Sequence, residues 1–229
     1  MKLTFDPMTI EHLGFKMYSH LPNAVAELVA NAFDADASHV TVGVVISPAP
    51  AVFVTDDGHG MSASDLQDKY LRIGRNRVKE GERMSESGKR RAAGKKGLGK
   101  LALFGIGTKV EIRTKRYASG QRHVIKMDWD EMLAADGEYQ PESWLEDAPS
   151  DEHGTTVTIS SLKRKTAIVG EDLARSLARL FNYVDQDFQV VVSLPEQQEF
   201  PVTRDPRIAV LEHRSRIRVA NPRRCSARR

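Results

Sequence analysis

Cysteine is nearly absent from this chain, with Cys225 the single one among 229 residues. One cysteine excludes an internal disulfide and a metal site built on several thiolates, and it favours a reducing, cytoplasmic environment. Long apolar runs are absent too, because no stretch approaches the ~20 residues that a membrane-spanning helix needs. The first residues also lack the apolar core of a signal peptide. From these absences we expect a cytoplasmic protein with no membrane contact.

The most informative segment that is present covers residues 27–37, which read ELVANAFDADA. On a helix, Glu27, Asn31 and Asp34 would share one face, because such spacings bring side chains together. The opposite face would be apolar and would carry Leu21, Val25, Leu28, Ala32 and Phe33. A carboxylate and an amide one turn apart, aimed the same way, can activate a water molecule and hold a hard cation.

A second motif follows an apolar run. Asp56 comes directly after residues 52–55, VFVT, and just before Gly58 and Gly60. This order predicts a carboxylate at the exit of a strand, followed by backbone that a ligand can approach closely because it has no side chains. An ordinary turn is the alternative, since Asp and Gly both favour turns.

A third motif is rich in glycine. Residues 94–107 read GKKGLGKLALFGIG, so that glycines and Lys100 precede an apolar stretch with the character of a helix start. Free N–H groups at a helix N-terminus and a lysine charge would make this loop a phosphate cradle. It is not a Walker A loop, because Leu101 stands where that loop needs Ser or Thr. It is not a dinucleotide fingerprint either, because no strand runs directly into Gly94.

Residues 153–159, HGTTVTI, place a glycine turn before a β-branched strand and give a fourth motif. In this order the four motifs resemble the GHKL ATPases, the superfamily of DNA gyrase, the ninety-kilodalton heat-shock chaperone, histidine kinases and MutL. Their N-box E-x-x-x-N-A-x-D-A matches residues 27–35, their D-x-G-x-G box residues 56–60, and their G-x-x-G-x-G box residues 94–99. The resemblance spans roughly residues 10–195 and is greatest to MORC-type and related prokaryotic ATPases.

The resemblance implies an α/β fold, the two-layer sandwich known as the Bergerat fold, with a mixed, mostly antiparallel sheet and helices on one face. It implies ATP and Mg²⁺ as ligands. It also implies slow ATP hydrolysis, gated by lid closure and by a nucleotide-dependent homodimer, so that ATP works as a conformational switch.

Individual residues receive roles from the same resemblance. Glu27 would polarise the attacking water, and Asn31 would bind Mg²⁺ through its side-chain oxygen. Asp56 would accept a hydrogen bond from the adenine amino group with help from Thr155, and Met61 would line the adenine pocket. The other nucleotide-site residues implied are Asp34, which would support the helix and the Asp56 loop, and Gly58, Gly60, Gly94, Gly97, Leu98, Gly99 and Lys100.

The net charge of +3 conceals two basic segments. Residues 72–100 contain eleven Lys or Arg and three Glu, and residues 204–229 contain nine Arg against one Asp and one Glu, so the rest of the chain carries −12. The superfamily places its mobile ATP lid at the first segment, whose middle has turn formers and little apolar periodicity. A solvated loop, charge compensation for phosphates, and contact with nucleic acid all remain open for it.

We expect one ATP-binding domain over residues 1–195, with the lid at about 72–100, and a basic C-terminal extension over residues 196–229. The extension fits the truncated start of a second domain, the tail of a stand-alone domain, or a broken reading frame. Two other functions remain open for the whole. A histidine-kinase-like phosphotransfer domain shares the fold, although Glu27 is atypical of it, and an ATP-sensing module would bind nucleotide without hydrolysing it.

Hydrophobic patterns give the secondary structure. They predict helices at about residues 8–18, 22–35, 63–71, 98–105 and 171–184, and strands at about 39–46, 51–56, 108–115, 121–128, 155–161 and 188–194. Because the strands come in groups and do not alternate strictly with helices, a mixed or antiparallel sheet is favoured.

Overall fold

One mixed sheet of eight strands forms the centre of the fold. The computed structural model describes residues 3–4, 20–72, 83–93, 102–135, 138–181 and 184–203. Their strands are β1 (Leu3–Thr4), β2 (His39–Val45), β3 (Ala51–Asp56), β4 (Gly107–Lys115), β5 (Gln121–Asp128), β6 (Glu138–Tyr139), β7 (Glu142–Asp147), β8 (Gly154–Leu162), β9 (Gln189–Leu194) and β10 (Gln198–Pro201).

The large sheet has the strand order β10-β9-β2-β3-β8-β4-β5-β7. β2 and β9 run parallel, and the other neighbouring strands run antiparallel. β1 and β6 pair in a separate two-stranded sheet. The prediction of an α/β fold with a mixed, mostly antiparallel sheet is confirmed.

Within the described residues, three α-helices accompany the sheet. They are α1 (Leu21–Asp34), α2 (Trp129–Ala134) and α3 (Gly170–Leu180). A π-helical turn covers Asp65–Tyr70, and 3₁₀ turns cover Leu103–Gly105 and Pro195–Gln197. A single hydrophobic core joins the buried sides of α1 and α3 to the sheet, while α2 packs against β4 and β5. Within the ranges given above, no helix combines the length and apolar character that crossing a membrane requires.

α1 is the element that the sequence specifies most completely. It begins after His20 with Pro22 in its first turn, where the missing N–H of proline costs no hydrogen bond. The apolar face is buried as predicted, and it includes Leu21, Val25, Leu28, Ala32 and Phe33. The helix ends at Asp34, and Asp36 then takes a positive φ of 59° that turns the chain away.

Several elements differ from the prediction. α2, β7 and β10 were not predicted, and the helix predicted at 8–18 lies outside the described residues, as do residues 98–101 of the helix predicted at 98–105. The domain boundary predicted at residue 195 falls within the β9–β10 hairpin. Val202, after β10, is 3% exposed and belongs to the same core, so the sheet continues past that boundary.

Candidate nucleotide site

Three neighbouring strands place a row of polar residues on one face of the sheet. Asp56 is the last residue of β3, its register partner on β8 is Thr155, and the partner of Thr155 on β4 is Thr114. Directly opposed residues of antiparallel strands point to the same side of a sheet. Asp56, Thr155 and Thr114 therefore stand side by side, and we refer to them as the Asp56 row.

The carboxylate of Asp56 is held by backbone donors. The N–H of Gly58 donates to its Oδ1 at 2.9 Å, and the N–H of Thr155 also donates to it. Burial outweighs these contacts and raises the pKa of Asp56 from 3.8 to about 6, because the charged form loses water. At neutral pH this group is an ionised acceptor in a poorly hydrated place, which suits a ligand that offers an N–H donor.

Two glycines near Asp56 are required by close packing of the chain against itself. Gly60 has a φ of 67°, and a Cβ there would collide with the carbonyl group of Lys115. Gly154 has a φ of 116°, and a Cβ there would collide with the carbonyl oxygen of Asp56. The sequence suggested that the glycines after Asp56 leave room for a ligand. The structure shows that Gly60 and Gly154 first leave room for neighbouring backbone.

The loop after Asp56 is fastened to the C-terminal end of α1. The N–H of His59 donates to the carbonyl oxygen of Ala35 at 3.0 Å. A Cβ on Gly58 would lie 2.7 Å from that same oxygen, so only glycine lets the loop approach this closely. The first two predicted motifs therefore form one joined unit.

Asp57 strengthens this junction at the start of β2. Its Oδ1 accepts from the N–H groups of Ser38 and His39 at 2.7 and 2.8 Å. Burial opposes ionisation here as well, but the hydrogen bonds from His39 and Ser38 prevail and hold the pKa of Asp57 below its ordinary value. Two adjacent aspartates thus have pKa values displaced in opposite directions.

Glu27 and Asn31 lie one turn apart on α1 and share a side of the helix, as predicted. Glu27 is half-buried, and burial raises the pKa of its carboxyl, which makes the carboxylate a better base. Asn31 is exposed, so a ligand can reach it. At 1.5 Å per residue, Glu27 lies about 12 Å from Ala35 along the helix axis.

Asp34 connects α1 to the segment before the glycine-rich motif. It is 5% exposed, and its Oδ1 accepts a hydrogen bond from the N–H of Ala93 at 2.7 Å. Its predicted support of the Asp56 loop stays a prediction, whereas this contact to Ala93 was not foreseen. The predicted cradle itself lies outside the described residues; its members are Gly94, Gly97, Leu98, Gly99 and Lys100.

Arg90 anchors residues 83–93, the described part of the predicted lid, to the end of α1. Its guanidinium donates to the carbonyl oxygens of Ala37 at 2.6 Å and Phe33 at 3.3 Å. The same group lies over the rings of Phe33 and Phe188, at 4.7 and 5.3 Å from their centres. A cation at the C-terminal carbonyls of a helix also complements the helix dipole. No sequence motif pointed to this arginine.

A second set of contacts holds residues 83–93 in place. Ser87 donates to Asp36 through its N–H at 2.9 Å and its hydroxyl at 2.7 Å. Arg116, directly after β4, donates to both carboxylate oxygens of Glu86 at 2.8 and 2.9 Å and to Asp65 at 3.0 Å. The hydrogen bonds that Arg116 donates to Glu86 raise the pKa of Arg116. This stretch is thus tied to α1 on one side and to β4 on the other.

Thr114 is a further residue that no motif singled out. It is 1% exposed, and its hydroxyl oxygen accepts from the N–H of Met61 at 2.9 Å. The same oxygen lies 2.9 Å from the hydroxyl oxygen of Thr155. Met61 is half-buried and packs against the core, and its predicted contact with adenine stays a prediction.

No three His, Cys, Asp or Glu side chains converge on a metal-like site in the part of the chain that the structure describes. Asn31 would then be a single protein ligand. That arrangement suits Mg²⁺, which commonly keeps several waters and takes its other ligands from substrate phosphates.

Comparison of the sequence with known proteins identifies a family. The family model for histidine kinase-, DNA gyrase B- and HSP90-like ATPases matches residues 18–160. The chain is also 32% identical over 196 residues to a protein of Herpetosiphon aurantiacus named "Putative type II restriction enzyme HgiDII". That match covers 84% of this chain but 31% of the relative, so the chain spans about a third of its relative's length. This chain belongs to the family of histidine kinase-, DNA gyrase B- and HSP90-like ATPases.

Proposed function

We propose that this chain binds ATP with Mg²⁺ and hydrolyses it slowly, as a nucleotide-driven conformational switch of the MORC, chaperone or MutL type. The observation that carries the proposal is the joined unit of α1 and the Asp56 loop. From Asp56 toward the N-terminus of α1, the polar residues follow in the order Asp34, Asn31 and Glu27. A bound ATP needs the same order of functions: recognition of the base, binding of the phosphates with their metal, and activation of water.

The base would be recognised by Asp56 and Thr155, the two members of the Asp56 row that a ligand can reach. Asp56 is ionised at neutral pH and would accept a hydrogen bond from the amino group of adenine, beside the hydroxyl of Thr155. Charge-assisted hydrogen bonds of this kind are about twice as strong as neutral ones. Met61, whose N–H is fixed by Thr114, would lie against the ring.

Hydrolysis would depend on α1. Glu27 would accept a proton from the attacking water, and its raised pKa brings its basicity closer to neutral pH. Asn31 would hold Mg²⁺, which when bound neutralises charge on the phosphate oxygens. The two side chains are fixed relative to one another by the helix, so their separation does not depend on a mobile loop.

The phosphates would be held by the glycine-rich motif and Lys100. Support comes from Asp34, since its hydrogen bond to Ala93 sets the position from which the motif starts. Backbone N–H groups and a lysine charge are effective phosphate ligands because they are aimed before the ligand arrives. The basic lid at 72–100 would add to this positive field and close over the nucleotide.

The process that the switch serves is proposed from two observations. The similar protein from Herpetosiphon aurantiacus carries the name of a restriction enzyme, and two segments of this chain are strongly basic. We therefore propose that the domain is the ATPase part of a longer protein that acts on nucleic acid, and that nucleotide binding promotes a homodimer. Binding of short duplex DNA that weakens steeply with added salt would support this.

The experiment that tests hydrolysis measures ATP binding and phosphate release on the same samples. Glu27→Gln should keep the ATP affinity within a few-fold, while phosphate release falls by about 10²–10⁴, the usual loss for a general base. Glu171→Gln is the matched control, because it changes an exposed helical glutamate whose partner is Arg175. It should leave both quantities unchanged.

The two rival functions give different results in this experiment. A non-hydrolysing sensor would bind ATP without releasing phosphate in any variant. A phosphotransfer domain would transfer label from ATP to a histidine of a partner protein. Phosphate release that is undiminished in Glu27→Gln would remove the general-base role.

A further inference from the structure

We infer that Thr114 is a positioning residue that sets the base specificity of the nucleotide site. This inference rests on the proposed ATP site, because it concerns how the Asp56 row presents donors and acceptors to a base. Thr114 is 1% exposed and would not touch the nucleotide itself. It acts through the two residues that its hydroxyl holds, Met61 and Thr155.

Only one assignment of the hydroxyl protons makes all three polar contacts of Thr114 hydrogen bonds. Its hydroxyl oxygen lies 2.9 Å from the N of Met61, 2.9 Å from the hydroxyl oxygen of Thr155, and 3.3 Å from the carbonyl oxygen of Gly154. A hydroxyl has one proton and two lone pairs. The amide of Met61 can only donate and the carbonyl of Gly154 can only accept. If the Thr114 proton went to Thr155, the contact with Gly154 would have no proton. We therefore assign the Thr114 proton to Gly154 and the Thr155 proton to the second lone pair of Thr114, because all three contacts are then hydrogen bonds.

This assignment decides what Thr155 offers to a ligand. With its proton given to Thr114, the Thr155 oxygen has only lone pairs left and acts as an acceptor. Asp56, its register neighbour, is also an acceptor. Two adjacent acceptors match the amino group of adenine, which carries two N–H donors. They oppose the carbonyl oxygen that guanine has at the same position, because acceptors facing one another repel.

Met61 is the second residue that Thr114 positions. The loop from Asp57 to Gly60 brings Met61 back toward β4, and its N–H meets the Thr114 hydroxyl at 2.9 Å. Without that acceptor, an amide in this partly buried place would lose its partner at a cost comparable to a lost hydrogen bond. Removing the Thr114 hydroxyl should therefore disturb both Thr155, the acceptor, and Met61, the apolar side of the base site.

Thr114→Val tests the inference, because valine has nearly the same shape but cannot hydrogen bond. Thr114→Ser keeps the hydroxyl and should rescue the function. Thr156→Val is the matched control. Thr156 pairs with Thr55 at 3.0 Å in the adjacent register position, and neighbouring positions along a strand point to the opposite face.

The dissociation constants of ATP and GTP are measured for each protein by calorimetry. In Thr114→Val the ATP affinity should fall by about 5- to 30-fold, the effect of losing one or two hydrogen bonds. The GTP affinity should change much less, so the ratio of ATP affinity to GTP affinity should fall toward one. Thr114→Ser and Thr156→Val should both keep the wild-type ratio, and Thr156→Val should also keep the wild-type rate of phosphate release at saturating ATP.

The outcomes separate the inference from the proposed function. If wild-type protein binds neither nucleotide, the proposed function fails and this inference fails with it. If wild-type protein prefers ATP and Thr114→Val keeps that preference, Thr114 does not set specificity, while the proposed function stands. If Thr114→Val does not fold, Thr114→Cys takes its place, because the thiol has a similar volume and hydrogen bonds only weakly. A lowered ratio of ATP to GTP affinity would then support the inference, and an unchanged ratio would overturn it.

Discussion

Asp56→Asn should stabilise the nucleotide-free protein at neutral pH and at the same time weaken its binding of ATP. The stabilisation follows from the raised pKa of Asp56, about 6 compared with 3.8 for an ordinary aspartate. Such a carboxyl stabilises the fold below pH 3.8, where it is protonated in both states, and that contribution is lost as the pH rises through 6. The ionised folded form therefore carries a free-energy cost at physiological pH, which asparagine avoids.

The size of the effect follows from the pKa difference. A pKa that is about 2 higher in the folded protein corresponds to about 3 kcal/mol of free energy of unfolding. Asparagine has one acceptor oxygen where aspartate has two, so we count one of the two backbone hydrogen bonds, from Gly58 or from Thr155, as lost. The lost hydrogen bond costs about 1 kcal/mol. We therefore expect Asp56→Asn to be more stable than the wild type by about 2 kcal/mol at pH 7–8, with the gain disappearing near pH 4.

Urea denaturation at pH 4, 5, 6, 7 and 8 measures this difference. Asp57→Asn is the control, because hydrogen bonds from His39 and Ser38 hold the pKa of Asp57 below its ordinary value despite burial. That group stabilises the fold above the pKa of its unfolded state and loses the effect as the pH falls through its lower folded pKa. Asp57→Asn should therefore be less stable than the wild type at pH 7, the opposite sign to its neighbour.

An Asp56→Asn protein that is less stable than the wild type at pH 7 and 8 would refute this account. So would a stability difference that stays constant from pH 4 to pH 8. The nucleotide part of the prediction has its own readout. In wild-type protein the ATP:GTP affinity ratio should fall below pH 6, where Asp56 becomes protonated, and the phosphates cancel from this ratio because both nucleotides carry them.

The remaining predictions concern packing and the predicted lid. Gly60→Ala should lower the free energy of unfolding by about 3 kcal/mol or more, because the new Cβ would collide with the Lys115 carbonyl at a residue that also has a positive φ. Gly88 has a positive φ but open space around it, so Gly88→Ala should lower the free energy of unfolding by only about 1–2 kcal/mol. Gly120→Ala, with no neighbour within 4 Å, should change it by less than about 1 kcal/mol; urea denaturation ranks the three. Arg90→Ala should cost about 2–3 kcal/mol, because the carbonyl oxygens of Phe33, Ala37 and Asp187 lose a charged donor, and trypsin should then cut faster at Arg91. A non-hydrolysable ATP analogue should slow that cut in the wild type if the lid closes over the nucleotide.

Much of the fold could be predicted because its determinants are local. α1 starts and ends within one residue of its predicted position, since Pro22 and the apolar repeat both lie within the helix itself. β3 and β5 were predicted with their observed bounds for the same reason. α2 has only six residues, and β7 lies at the edge of the sheet with an exposed pattern. Short or exposed elements carry too few buried positions for a period to be recognised.

The candidate site could be predicted only in part, because a sequence motif shows which residues are close along the chain but not which strands pair in the sheet. Glu27, Asn31 and Asp56 were chosen as candidates from the spacing of polar residues along one helix and at one strand end, and their roles stay predictions. Thr114 reaches the site because β4, β8 and β3 are adjacent, a fact that no local pattern contains. Arg90 belongs to a polar stretch that resembled a solvated loop, yet it meets Phe33 and Phe188 from distant parts of the chain.

The glycines show that a motif residue can have a structural reason besides the functional one that the sequence suggests. Gly58, Gly60 and Gly154 surround Asp56, and each stands where a Cβ would meet neighbouring backbone. They bring α1, β4 and β8 close enough to bury the Asp56 carboxylate, and burial is what raises its pKa. The same close packing therefore gives Asp56 both its fixed position and its reduced contact with water. A selective hydrogen bond to a base requires both properties. A fixed and poorly hydrated acceptor gains more binding free energy from a correctly placed donor, and it pays a larger desolvation cost when a base offers it no donor.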